Sequence, residues 1–248
     1  MGQPKVAIVI TAYLAESKPY LDLCMRSIKN LDYPTSRISV VIVAPKDYAP
    51  QYPGAMTISP LEPLKYSNAH AINLGVSKAL ESWPDYVVYA NDDVIFTDKS
   101  IASLVYTMRR YDRLLLMPIS NDQQGRYYVD LPIIGPYKLE QALEIEDTLL
   151  NCPNMNPDIL ILAETLCTYV MIFTPNFWRE VGGMDERFLK GGPDDIDLCL
   201  RARQKGYQPA ITTNAIVWHA GGVSADLTHD PATREENHRL FNEKWSGK

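Results

Sequence analysis

The chain has 248 residues, of which 46% are hydrophobic and 22% charged, and a formal net charge of -6. Such a chain can bury a substantial core as one large α/β domain, and its composition excludes the disordered and fibrous classes. The acidic balance, with no Lys/Arg run longer than pairs such as Arg109-Arg110, argues against nucleic acid and anionic lipid as partners.

In chain order, VAIVIT (6–11) reads as a first strand, and a helix is expected from Tyr20 to Leu31, entered at Pro19 and closed before Pro34. ISVVIVA (38–44) is a second strand, which completes a βαβ unit. A short strand at MTIS, a helix from Ser67 to Ser82, the strand DYVVYA (85–90), a helix from Lys99 to Tyr111 and the strand LLLMP continue the alternation. Continuous β-branched runs between amphipathic segments are the pattern of parallel strands covered on both faces by crossover helices.

Between Ser120 and Pro157 the pattern loosens. GRYYVDLPIIGPYK precedes a predicted helix LEQALEIEDTLL and the turn cluster NCPNMNP, and substrate-specific contacts are expected in this insertion. ETLCTYVMIF then returns as a strand, PNFWREVGG as a short helix with a glycine stop, and DDIDLCLRARQKGY as a helix closing at Gly206. AIVWHAGG is the last strand, and Asp230 caps a surface helix opening at Pro231.

The most apolar window, DILILAETLCTYVMIF, is too short to span a bilayer and carries Glu164, so no transmembrane segment is expected, although peripheral membrane association stays open. MGQPKVAIVI lacks the features of a signal peptide or a myristoylation site. Cys24, Cys152, Cys167 and Cys199 have no paired spacing, which suits free thiols in a reducing compartment. The expected location is therefore cytoplasmic.

Two acidic groups and one histidine stand out. Asn91-Asp92-Asp93 ends an apolar strand, where loops of an open α/β sheet converge on ligands. Adjacent carboxylates near a core need compensating donors or a cation, although Asp and Asn also simply start turns. Asp194, Asp195 and Asp197 open a helix whose dipole favours ionised carboxylates, as a general base requires, and capping is the plainer reading. His219 follows AIVW and precedes Gly221-Gly222; a neutral imidazole there suits a borderline metal or a structural bond. His70, His229 and His238 have no comparable setting and read as structural.

Taken together, VAIVITAYLAESKPYLDLCMRSI, the Asn-x-Gly segment YSNAHAINLGVSKAL, VVYANDDVIF, VGGMDERFLKGGPDDIDLCLRARQKGY and VWHAGGVS resemble family 2 glycosyltransferases. The resemblance covers the first 110 residues or so and Thr165 to Ser224. It implies a GT-A fold, an α/β, Rossmann-like nucleotide-binding domain with a mixed central sheet and helices on both faces. It also implies an inverting enzyme that moves a sugar from a UDP-, dTDP- or GDP-linked donor to a glycan or other hydroxyl acceptor with Mn2+ or Mg2+. Residue by residue, the resemblance implies that Asp93 and His219 bind the metal, and that Asp92 meets the donor's ribose or phosphate. By the same resemblance Thr11, Ala12 and Tyr13 line the nucleotide pocket, Asn73 lies near the donor, Asp195 is the catalytic base and Asp194 the preceding acid. The whole of 1–248 is then one domain, with a nucleotide-sugar half (1–118), an acceptor and catalytic half (119–229) and a C-terminal helix (230–248).

The sequence departs from the family where many relatives place an Asp at the end of the second strand to read the base: Ala44 and Pro45 stand there, with Asp47 or Glu16 as substitutes. Ile72 precedes Asn73 where some relatives have Arg, which leans toward the rhamnosyl- and galactofuranosyl-like branches. Two other readings compete: a sugar-phosphate nucleotidyltransferase, disfavoured because TAYLAESKPYLD has no Gly- or Arg-rich phosphate loop, and a non-catalytic nucleotide- or carbohydrate-binding module on the same fold.

Overall fold

The computed structural model describes residues 2–60, 67–121, 138–144, 146–151, 158–167, 169–189, 192–221 and 230–246. The strands are β1 (Val6–Thr11), β2 (Ile38–Val43), β3 (Ala55–Ile58), β4 (Tyr86–Asn91), β5 (Val94–Phe96), β6 (Leu114–Ser120), β7 (Leu160–Leu162), β8 (Val170–Phe173) and β9 (Gln208–His219). Among the described residues they form one mixed sheet in the order β3-β2-β1-β4-β8-β6-β9-β5, with β7 paired to β9.

β3, β2, β1 and β4 are mutually parallel, while β8 runs antiparallel to β4. All six residues of β1 are buried, as a central parallel strand covered on both faces requires. The helices α1 (Lys18–Lys29), α2 (Asn68–Leu80) and α3 (Ser100–Arg110) pack against β5, against β1 and β2, and against β6 and β9 respectively. A Cβ on Gly75 would stand 2.4 Å from Val9 and 2.8 Å from Val43, so the glycine of the Asn-x-Gly segment permits α2 to approach the sheet this closely.

Beyond β6 come the short helices α4 (Leu139–Glu144) and α5 (Glu146–Leu150), then α6 (Pro175–Val181), α7 (Asp194–Gln204) and α8 (Pro231–Trp245). Gly182, at φ +92, ends α6 in the left-handed conformation expected of a glycine stop. Among the described residues no helix is long and apolar enough to cross a membrane. The stretch 122–137, the turn cluster at 152–157, Cys152, Gly222 and His229 lie outside the described residues.

Four sequence expectations need correction. VIF after the acid pair is a strand, β5, and β7 is a second unexpected one; three residues are too few to show a period. Among the described residues of ETLCTYVMIF, only the last four are strand. The last strand is longer than AIVW, starting at Gln208 directly after α7. Its register on β6 shifts at one point, Pro118 lying opposite Thr212 and Ile119 opposite Ile216. That bulge lets the first half of β9 pair with β7 and the second half with β5.

Candidate active site

The carboxyl ends of β1, β2 and β4 lie side by side, Thr11 in register with Val43 on one flank and Asn91 on the other. From β4 the chain passes through Asp92 and Asp93 directly into β5, which pairs antiparallel with the end of β9 so that Val94 faces His219. The Ala220 N–H donates to the Asp93 carbonyl at 3.1 Å. Main-chain pairing thus brings together two residues far apart in sequence, and His219 Nε2 stands 3.3 Å from Asp93 Oδ1.

His219 is held both by its main chain and by its ring. Asn121, just past β6, accepts a hydrogen bond from the His219 N–H at 2.7 Å and donates to its carbonyl at 3.1 Å. The Tyr169 ring stacks on the imidazole with centroids 4.7 Å apart. The Tyr169 carbonyl in turn accepts from the Asn91 N–H at 2.9 Å, which ties the stack to the acid turn.

Asp93 Oδ1 is buried and has no hydrogen-bond partner among the described residues. A carboxylate oxygen in that position is costly without a donor or a cation. One carboxylate and one imidazole nitrogen face to face suit a Mn2+ or Mg2+ ion, with an octahedral ion drawing its other ligands from phosphate and water. Among the described residues no three His, Cys, Asp or Glu side chains gather around one point.

Asp92 is also buried, and Ser17, at the end of a 3-10 turn beyond β1, donates its hydroxyl proton to Asp92 Oδ2. Burial first, and then the charge of Asp93, push the Asp92 carboxyl well above the usual range.

Of Thr11, Ala12 and Tyr13, only Tyr13 keeps partly exposed surface. Thr11 is buried 2.9 Å from the Tyr89 hydroxyl, and Ala12 is wholly buried, its N–H bonded to the Val43 carbonyl at 2.9 Å, so both form a floor at the strand ends. Tyr13 donates to Asn68 Oδ1, and the Tyr89 hydroxyl lies 2.8 Å from Asn91 Oδ1. Desolvation and Tyr89 raise the Tyr13 hydroxyl well above its ordinary pKa, with Asp92 and Asp194 adding to the shift. Both acidic groups therefore lie within electrostatic reach of one tyrosine.

On α7, Asp194 is buried, Asp195 half-buried and Asp197 wholly buried. None of them is the cap, because Pro193 holds that position. Asp194 Oδ1 accepts from the Gly192 N–H at 3.2 Å, while Oδ2 is buried without a hydrogen-bond partner among the described residues. Burial, then the Asp195 charge, push the Asp194 carboxyl up to about 7. The expectation that the helix dipole keeps these acids ionised thus fails for Asp194: the dipole supplies about 1 kcal/mol, and burial outweighs it. Asp197 points elsewhere, to Arg201 at 2.8 Å and Lys244 at 2.6 Å.

Asn73 is held by hydrogen bonds within the protein. Its amide nitrogen donates to the Met184 carbonyl at 2.9 Å and to Glu186 Oε1 at 2.8 Å, and its oxygen accepts from the Met184 N–H at 2.8 Å. Asn73 therefore fastens the Gly-Gly-Met-Asp-Glu-Arg-Phe loop to α2, with both ends of its amide engaged within the protein. His70 belongs to the same contact, 2.8 Å from Glu186 Oε2, in keeping with its structural reading. Asp47 and Glu16 are both exposed, on turns beyond β2 and β1.

Ser17, Asn121, Tyr169 and Tyr89 escaped the sequence reading. The only available signal was position, since Ser17 and Asn121 are small polar residues just past strands, where side chains bond to nearby main chain.

The family model for glycosyltransferase like family 2 matches residues 4–239. The chain belongs to that family. No curated protein matches it in sequence. Among solved structures it resembles the mannosyltransferase PcManGT from Pyrobaculum calidifontis in complex with GDP-Man and Mn2+, at 15% identity and TM-score 0.59, over 88% of this chain and 57% of that one. It also resembles GalNAc-T7 with UDP, GalNAc and Mn2+, at 12% identity and TM-score 0.61, over 87% of this chain and 44% of that one. A third likeness is to S. aureus TarS 1-349, at 12% identity and TM-score 0.59, over 88% and 61%. The chain thus spans less than two thirds of each of these structures, and at such identities the likeness establishes the GT-A fold of this family member.

Proposed function

We propose that this chain transfers a sugar, with inversion and with a divalent cation, from a nucleoside-diphosphate sugar to an acceptor hydroxyl in glycan or polysaccharide synthesis. The observation that carries this reading is the Asp93–His219 pair, 3.3 Å apart at the strand ends where a family 2 chain would hold its donor. The GDP-Man, UDP and Mn2+ bound in the structural relatives support it. A cation held by Asp93 and His219 would stabilise the departing diphosphate as a Lewis acid.

The chain's own groups divide the remaining work. Asp92, held by Ser17, presents its carboxyl to the donor's ribose or phosphate, and Tyr13 flanks the nucleotide. Asp195, the less enclosed of the two adjacent acids on α7, removes the proton of the acceptor hydroxyl during attack. Asp194 lies behind it, between that base and the nucleotide floor. With base and leaving group on opposite faces of the sugar, a single in-line displacement inverts the anomeric centre. In this reading residues 1–118 hold the nucleotide sugar, 119–229 the acceptor, and 230–248 close the domain. The free thiols of Cys24 and Cys199 suit a cytoplasmic setting.

The test is a thermal-shift panel of UDP, GDP, dTDP and their sugars, with Mn2+ and with EDTA, because ligand binding raises the melting temperature in proportion to affinity. At least one nucleotide should stabilise the protein only with the metal, and the product of the matching sugar donor should carry the opposite anomeric configuration by NMR. Stabilisation indifferent to EDTA removes the metal role, and a retained anomer removes inversion.

A further inference from the structure

Helix α8 lacks the apolar stripe that normally holds a surface helix to its protein: of Pro231–Trp245 only Asn237 is buried, at 1% exposure. Apart from a ring contact between Phe241 and Phe188, with centroids 6.4 Å apart, its attachments are polar and directional, and they run to one stretch of chain. Asn237 donates from its amide nitrogen to the Leu189 carbonyl at 2.7 Å and accepts the Leu189 N–H at 3.1 Å, pairing with main chain as a neighbouring strand would. Lys244 reaches Asp185 at 2.7 Å and Asp197 at 2.6 Å, and Trp245 Nε1 donates to Asp197 Oδ1 at 2.9 Å. A Cβ on Gly192 would meet Asn237 Nδ2 at 2.7 Å, so the turn into α7 is seated directly on that amide.

We infer that α8 is a brace that positions the Asp194-Asp195 turn, with Asn237 as its principal positioning residue. The inference rests on the reading of Asp195 as the base. The contact points bracket that residue: Leu189 and Gly192 precede it and Asp197 follows two positions later. A general base works only within hydrogen-bond reach of its proton, so a turn displaced by an ångström loses rate even though every reacting group remains present. Oriented hydrogen bonds suit this task better than apolar packing, because they fix direction as well as proximity. Asn237 touches neither substrate nor cation in this scheme, and it acts through Leu189 and Gly192.

The test compares Asn237→Ala, Gly192→Ala and the double variant with the full-length protein. Hydrogen exchange at the amides of Gly192 to Asp197 should speed up by about tenfold in each single variant, while β1 and β4 stay protected and the affinity for UDP or GDP with Mn2+ stays within about twofold. Turnover, followed as nucleoside diphosphate released from the sugar donor that binds, should fall by about tenfold or more in kcat with the donor KM nearly unchanged. The double variant should resemble a single one, because removing the Asn237 amide makes room for the new methyl group. Unchanged exchange at 192–197, acceleration spread equally over β1 and β4, or a loss confined to donor affinity would each overturn the brace. If the parent protein binds and turns over no sugar nucleotide, the proposed function fails, and the exchange pattern alone still decides whether α8 holds the turn.

Discussion

The acid pair after β4 and the acid cluster opening α7 solve the same problem in different ways. Asp92 and Asp93 are held by strand register: β5 pairs with β9, and that ladder delivers His219 to Asp93. Asp194 and Asp195 are held by a helix start whose preceding turn leans on Asn237 of α8. The first arrangement is rigid because its geometry is fixed by consecutive main-chain bonds within the core. The second depends on a few side-chain contacts outside the sheet, and it is the half that point substitutions can shift without unfolding the sheet.

The sharpest way to break the comparison is Asp195→Asn. Transfer should fall by about a thousandfold, in the range associated with a lost general base, while calorimetry shows nucleotide affinity within about twofold. Equal rates in the variant would take the base role from the α7 cluster.

Asp93→Ala and His219→Ala attack the other half. Each should weaken metal-dependent nucleotide binding by roughly 10–100-fold and leave the metal-free affinity alone, as titration of UDP or GDP across Mn2+ concentrations would show. An unaltered Mn2+ dependence would remove the pair as ligands.

A smaller effect comes from Asp194. Its carboxyl titrates near 7 in the folded protein against 3.8 for the ordinary group. The raised value means that the folded state holds the proton more tightly. The associated stability is fully present below 3.8 and is lost as pH rises toward about 7. Asp194→Asn, a neutral mimic, should therefore raise stability by about 2 kcal/mol at pH 8 and by nearly nothing at pH 3, measured by urea denaturation without ligand. A variant no more stable than the parent at pH 8 would show that the carboxyl is compensated after all.

The smallest expected change is at Asn73. Asn73→Ala leaves the buried Met184 N–H without its acceptor and should cost about 1 kcal/mol of stability, with nucleotide affinity untouched. A large loss of nucleotide affinity would return Asn73 to the donor.

Much of the alternating βα frame was legible because buried parallel strands are written as continuous apolar runs, as in VAIVIT and ISVVIV. The acid pair was legible for the same reason, since two carboxylates interrupting such a run need an explanation. What stayed hidden was pairing between segments distant in sequence. Nothing local in VIF marks it as the partner of residues 217–219, and nothing in Asn121 shows that it grips the His219 main chain. The bonds of Asn73 to a loop 111 residues away were hidden for the same reason, since only the fold brings the two segments together.

One feature of β9 bears on how such a site tolerates change. From Thr212 to Ile216 the strand advances four residues while β6 advances one. Side chains alternate between the two faces of a strand, so the residues of this bulge set the phase of everything after them. Deleting Asn214 alone would move every later residue back by one place, so that Ala220 would stand where His219 now meets Asp93 and the imidazole would turn to the opposite face of the strand. The position of the candidate ligand thus depends on an odd-or-even count several residues upstream, in a segment that never touches it.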